Sequence, residues 1–198
     1  MTKISSHSWP ELHIRLPDWV RTLTAEYRDT PLPEPEARMQ LAAKLATENI
    51  QHGGGPFGAC VFDADHHTLI APGINLVMQS NNSILHAEIV AIAMAQSVTG
   101  SFDPALKGTR LELISSAEPC AMCMGAIPWA GISRLIYGAH SEDVEQIGFD
   151  EGDKPDHWIE KLRQRGIEVT GGILRNDIRK IFYTYKKLGL PIYNGRRP

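Results

Sequence analysis

Short β-branched runs alternating with helix-patterned stretches predict an α/β protein, a three-layer α/β/α sandwich around a central mixed five-stranded sheet. Three observations lead there. Five brief apolar runs, at 57–62, 69–77, 111–115, 134–138 and 167–170, have the length and residue types of strands. The first two are separated only by Asp63-Ala64-Asp65-His66-His67, the spacing of a hairpin, while the later ones alternate with helical patterns, so the sheet is mixed. Finally, 198 residues at 42% hydrophobic content supply one well-buried core, and no composition break marks a second.

Residues 1–33 read as an irregular N-terminal arm, interrupted by Pro10, Pro17, Pro31 and Pro33, with room for a short helix over 19–27. Residues 34–198 read as a single domain ending in a helix and a tail. Met39, Leu41, Ala42, Leu45 and Ile50 recur at helical spacing until His52-Gly53-Gly54-Gly55-Pro56 stops the helix. After the hairpin, with Asn75 late in its second strand, Ser83 is placed to cap a helix over 84–97, which puts His86 and Glu88 near its first turn. The third strand ends at Glu118-Pro119, and a proline at the first helical position suits a helix start there, with Cys120 and Cys123 on one side of it. Pro128 is expected to end or kink that helix within two turns. A short helix over 142–147, a turn at Phe149-Asp150-Glu151-Gly152, a helix over 158–165 and a last one over 174–188 complete the pattern. Arg196 and Arg197 read as a solvated tail.

Net charge −3 and a pI near 6.2 provide no basic field for a polynucleotide, so nucleic acid is disfavoured as a partner. Three cysteines are too few for a disulfide framework. Thiolate ligands need a reducing compartment, so a cytoplasmic location is expected. The N-terminus lacks the apolar core of a signal peptide, and no window approaches the ~20 apolar residues of a membrane span.

The chemistry concentrates between His86 and Cys123. His86-Ala87-Glu88 is followed by Pro119-Cys120-Ala121-Met122-Cys123. One imidazole and two thiolates are three strong zinc ligands, one short of a closed tetrahedron, which leaves a corner for water. Glu88, outside the ligand set, can take a proton from that water, and H-x-E…P-C-x-x-C is the signature of zinc-dependent deaminases. Either half alone is weak, since structural zinc knuckles also use C-x-x-C and a lone histidine is ordinarily core; their conjunction favours catalysis.

On these residues the chain resembles the cytidine deaminase-like zinc hydrolases. The stretch 54–152 looks most like bacterial guanine deaminases, through Ile147-Gly148-Phe149-Asp150-Glu151. The resemblance implies a cytidine deaminase-like fold, one Zn2+ per chain on His86, Cys120 and Cys123, Glu88 as general acid/base, and conversion of guanine to xanthine and ammonia. It further implies Asn75 on the purine edge, Glu151 as a second carboxylate with Asp150 as the adjacent alternative, a pocket-closing tail containing Tyr193, and a homodimer. Phe57 and Trp129 are candidates to stack on the base, although core is the plainer reading of a large aromatic, Trp129 above all. Asn75 can instead bond its own turn, and Glu151 can be a solvated loop acid. Cys60 reads as a buried thiol; His52, His66, His67, His140 and His157 show no second metal spacing. A tRNA adenosine or a cytosine or cytidine deaminase would use the same metal machinery. A non-catalytic zinc-stabilised module is the alternative outside enzymes.

Overall fold

The computed structural model describes residue 9 and residues 11–195; the expected Arg196-Arg197 tail lies outside them. The arm contains helix α1 (Asp18–Thr24), continued by a 3-10 turn to Tyr27. Helix α2 (Pro35–Gln51) has proline at its start and ends at His52. Strands β1 (Gly58–Asp63) and β2 (Leu69–Ile74) form the expected hairpin. Then come α3 (Val77–Ser80), α4 (Ala87–Thr99), β3 (Leu111–Ala117), α5 (Ala121–Ala126), β4 (Ile132–Ala139), α6 (Ser141–Glu145), α7 (Trp158–Gln164), β5 (Glu168–Thr170) and α8 (Arg175–Lys187).

The sheet runs β2-β1-β3-β4-β5. β1 is antiparallel to β2 and β3, while β3, β4 and β5 are parallel. The period of two sorts each strand onto two cores. Cys60, Phe62, Ile114 and Ile136 face Met39, Leu45, Ile178, Phe182 and Tyr185 of α2 and α8. Ala59, Val61, Leu113, Leu135 and Val169 face Ala87, Ala91 and Ala95 of α4, with Leu162 of α7. Two glycines let the helices come this close. A Cβ on Gly58 would collide with the Ala42 carbonyl of α2, and one on Gly73 with the Ala87 carbonyl and Ala91 amide of α4.

A buried ion pair joins α2 to the sheet. Arg38, 2% exposed, stands 2.6 Å from Glu112, 0% exposed, in ionic contact without hydrogen-bond alignment. Arg134 closes on the same carboxylate at 3.2 Å and on Glu168 at 2.8 Å. The Arg38 guanidinium also donates to the carbonyls of Leu32 and Pro33, which ties the end of the arm to α2.

Several boundaries differ from the expected ones. β2 stops at Ile74, so Asn75 lies just beyond the strand, and Val77 begins α3 rather than ending β2. Ser83 caps nothing: Asn81 turns left-handed (φ 47), Asn82 accepts from the Ile84 amide, and the cap position of α4 falls on His86. Likewise Pro119 precedes α5, whose cap position is Cys120. Neither the His86 nor the Cys120 side chain makes a capping bond, because each is turned toward the other. The run Ala87–Lys107 has the length and, at a mean hydropathy of 1.2, the composition that would let a helix cross a membrane. Its helix nevertheless ends at Thr99, where Gly100 turns left-handed (φ 59), and six residues of α4 are buried.

Candidate active site

Cap positions have extended backbone, which lifts the side chain away from the helix axis; His86 (ψ 158) and Cys120 (ψ 170) both use it. As a result His86 Nδ1 and Cys120 Sγ approach to 3.4 Å, and the ligand atoms of His86, Cys120 and Cys123 all lie within 4.8 Å of one another. Tetrahedral zinc with bonds of about 2.0 to 2.3 Å sets its ligand atoms about 3.5 to 3.8 Å apart, so the trio needs only small adjustment to take the ion. The Cys120 thiol is pushed down to about 4, first by the Cys123 thiol bonding to it and then by His86, so one thiolate stands ready at neutral pH. Its partner Cys123 is driven up by that same bond and by burial.

Glu88, the second residue of α4 and 6% exposed, accepts from the Ser115 hydroxyl of β3 at 3.1 Å, with the Cys123 sulfur 3.5 Å from its other oxygen. Burial, followed by the charge of Cys120, raises its pKa. The second carboxyl comes from the 148–152 loop. Glu151 is 7% exposed, and burial pushes it up to about 8. Its carbonyl accepts the Ala121 amide at 2.9 Å, which fastens this loop to the start of α5.

These groups share a cavity of about 110 Å³ whose walls include Phe57, Asn75, His86, Glu88, Cys120, Asp150, Glu151 and Tyr193. The aromatic wall is built edge to face: Phe57 and Tyr193 each meet Phe149 with ring centres 5.1 Å apart. Tyr193 comes from the tail, which folds back over the chain's own cavity. The Tyr185 hydroxyl donates to the Pro191 carbonyl at 2.6 Å, and Asn194 bridges the Gly148 carbonyl and the Asp150 amide at 2.9 Å each. Tyr193 Oη is buried, has no hydrogen-bond partner among the described residues, and lies against Gly55, where any larger residue would strike it.

Of the residues singled out in the sequence, Trp129 alone is not brought here. It is 83% exposed on the 3-10 turn after α5 and is neither cavity wall nor core, because Ile127 and Ala130 take the buried side of that turn. Asp150 reaches the cavity as an exposed residue, whereas its neighbour Glu151 is buried. Asn75 keeps part of its plainer role, since its Oδ1 accepts the Val77 amide at 3.2 Å. Cys60 is fully buried, and burial pushes its thiol far up. Sequence reasoning passed over Glu118, Phe149, Asn194 and Asn49. The first three line the cavity; Asn49, fully buried, donates to the Gly55 and Asn75 carbonyls at 2.9 Å and so joins the end of α2 to the cavity wall. Glu118 and Phe149 sat inside quoted motifs, but Asn49 carried no local signal.

Among known protein families, residues 33–139 match the cytidine and deoxycytidylate deaminase zinc-binding region. Guanine deaminase of Bacillus subtilis is 39% identical over 119 residues, 59% of this chain and 71% of that protein. A tRNA-specific adenosine deaminase of Streptococcus pyogenes is 34% identical over 157 residues, 76% of this chain and 89% of that protein. Among solved structures, guanine deaminase from Nitrosomonas europaea superposes with a TM-score of 0.84 at 41% identity, covering 92% of this chain and all of that one (100%).

Proposed function

This chain belongs to the cytidine and deoxycytidylate deaminase zinc-binding family, and from that membership we propose that it hydrolyses guanine to xanthine and ammonia. The observation that carries the choice of substrate is the cavity roofed by the chain's own Tyr193 and Asn194, small and lined by aromatic rings, which suits a free base better than a nucleotide held in a tRNA loop. The likeness to a guanine deaminase over 92% of the chain supports the same substrate.

In this reading His86, Cys120 and Cys123 would hold one zinc ion, which when bound would lower the pKa of a coordinated water to about 7. Glu88 takes a proton from the attacking water and passes it to the ring nitrogen beside C2 as the water oxygen adds to that carbon. The C2–N bond then breaks: the amine leaves as ammonia after gaining one proton, the C2 hydroxyl gives its proton to Glu88 as the xanthine carbonyl forms, and exchange with solvent resets both carboxyls. Glu151, which burial keeps protonated up to about 8, is the donor suited to that departure. Its burial is what favours it over Asp150. Asn75 binds the purine edge, while Phe57 stacks on the ring.

A homodimer in the cytoplasm completes the proposal. Val98, Phe102, Leu106 and Trp129 are 69 to 83% exposed, and Gly131, just after Trp129, packs against Asp103 and Ala105 between two of them, so the four lie on adjoining segments. Thiolate ligands fit a reducing compartment.

The test is ammonia release from guanine, cytosine, adenine, their nucleosides and a tRNA bearing adenosine in its anticodon loop, with metal analysis of the same sample. Guanine should be preferred at one zinc per chain. Faster turnover of cytosine, or of adenosine in tRNA, overturns the substrate.

A further inference from the structure

We propose that Lys154 is a positioning residue for the deamination: its ammonium, acting through the Ser141 hydroxyl, aims that hydroxyl at Glu151 and holds the Glu151 carboxyl at the cavity wall. The inference rests on the reading of Glu151 as the second proton carrier. Lys154 is only 12% exposed and lies behind the wall rather than on it. Its Nζ meets Glu118 Oε1 at 2.6 Å, the Pro119 carbonyl at 3.2 Å, Ser141 Oγ, and Glu151 Oε2 at 3.9 Å. The ring of Trp158 backs it, 5.5 Å away. Among the described residues no other lysine or arginine is within ion-pair distance of Glu118 or Glu151.

The orientation follows from donor counting. A serine hydroxyl has one proton, and an ammonium on its oxygen fills a lone pair, so that proton must point elsewhere. Two carboxylates are in reach. Glu118 is already met by Lys154 and by the Ser141 amide at 3.4 Å. Glu151 has only this hydroxyl, 3.4 Å from its Oε2, and the more distant Lys154. A hydroxyl polarised by a cation is also the stronger donor. Loss of the ammonium frees Ser141 to rotate and leaves Glu151 undirected; it also takes the cation from Glu118, whereas the side chains of the three zinc ligands make no contact with Lys154 and keep their own.

The experiment compares full-length, zinc-loaded wild type with Lys154→Met, Glu151→Gln and the double variant, with guanine as substrate. Lys154→Met should lose kcat by on the order of ten- to a hundredfold, as removal of an outer support commonly does, with KM and zinc content unchanged. The double variant should be no slower than Glu151→Gln, because both changes remove one action. Ethylammonium should restore part of the kcat of Lys154→Ala. Should Lys154→Met fail to fold, Lys154→Arg must still outpace Lys154→Gln. Overturning results are a wild-type kcat in Lys154→Met, loss of zinc from it, penalties that multiply in the double variant, or equal rates for the Arg and Gln variants. A wild-type rate in Glu151→Gln removes the reading beneath the inference and the inference with it. Impaired Glu151→Gln beside normal Lys154→Met removes Lys154 alone.

Discussion

A group that takes a proton and returns it within one turnover works best when neither of its states is strongly preferred. For Glu88, burial raises the pKa above the ordinary carboxylate range, while Ser115 bonds its oxygen at 3.1 Å and fixes where the carboxyl points. Glu88→Gln keeps shape and burial and should retain zinc and melting temperature while kcat falls by about 10² to 10⁴ or more; a rate near wild type would assign the proton transfer elsewhere. Asn75→Ala should act on binding instead, raising KM for guanine by the equivalent of about 1–3 kcal/mol, the penalty for a buried base edge left unpaired. Both residues were legible in the sequence because their roles come from residue type and local spacing. Asn49 was not: an asparagine near the end of a helix is unremarkable until the fold brings the Gly55 and Asn75 carbonyls to it.

At the level of elements, the site depends on how closely α4 lies on the sheet. Gly73 of β2 admits the Ala87 carbonyl, one residue from both His86 and Glu88. Gly73→Ala should therefore destabilise the fold by about 1–3 kcal/mol, as overpacking does, and weaken zinc retention, which chemical denaturation and metal analysis would show together. On the other side of the sheet, α6 and α8 are joined through Asp143, 3% exposed, which meets Arg175 at 2.7 Å and Arg179 at 3.1 Å. Burial works against the Asp143 charge, but the two arginines and the His140 amide outweigh it and take the carboxyl below its ordinary 3.8. A depressed carboxyl stabilises the folded state fully above its unfolded value and loses that contribution as pH falls through the folded one. Asp143→Asn should accordingly cost about 1–3 kcal/mol near neutral pH and converge with wild type well below pH 3.8, read from melts across an acid series. Strand and helix existence was readable from periodicity, whereas the cap positions of α4 and α5 were displaced, because the usual capping preference yields where His86 and Cys120 turn toward each other.

For the whole molecule, zinc binding and folding are linked, since His86 and Cys120 begin helices on opposite sides of β3 in sequence and an ion between them ties both helix starts to the sheet. Chelation should abolish turnover and lower the melting temperature, and added zinc should restore both; activity that survives full metal removal would exclude the metal from the reaction. The exposed apolar face gives a second whole-molecule prediction. In the proposed homodimer, Trp129→Asp should shift sedimentation from dimer toward monomer without loss of zinc; a monomeric wild type would overturn the dimer, and an unchanged coefficient would remove this face from it.

The sequence by itself determined the layer architecture, the trio His86, Cys120 and Cys123, and the carboxylate beside them, because period, residue type and short spacings are properties of neighbours along the chain. Only the tertiary structure decided that Glu151 rather than Asp150 is buried at the cavity, that Trp129 stands outside it, that the tail covers its own chain's pocket, and that Lys154 and Asn49 stand behind the wall. Those outcomes depend on burial and on contacts between segments far apart in sequence, such as Asn194 with Gly148 and Lys154 with Glu118, and chain packing alone sets such contacts.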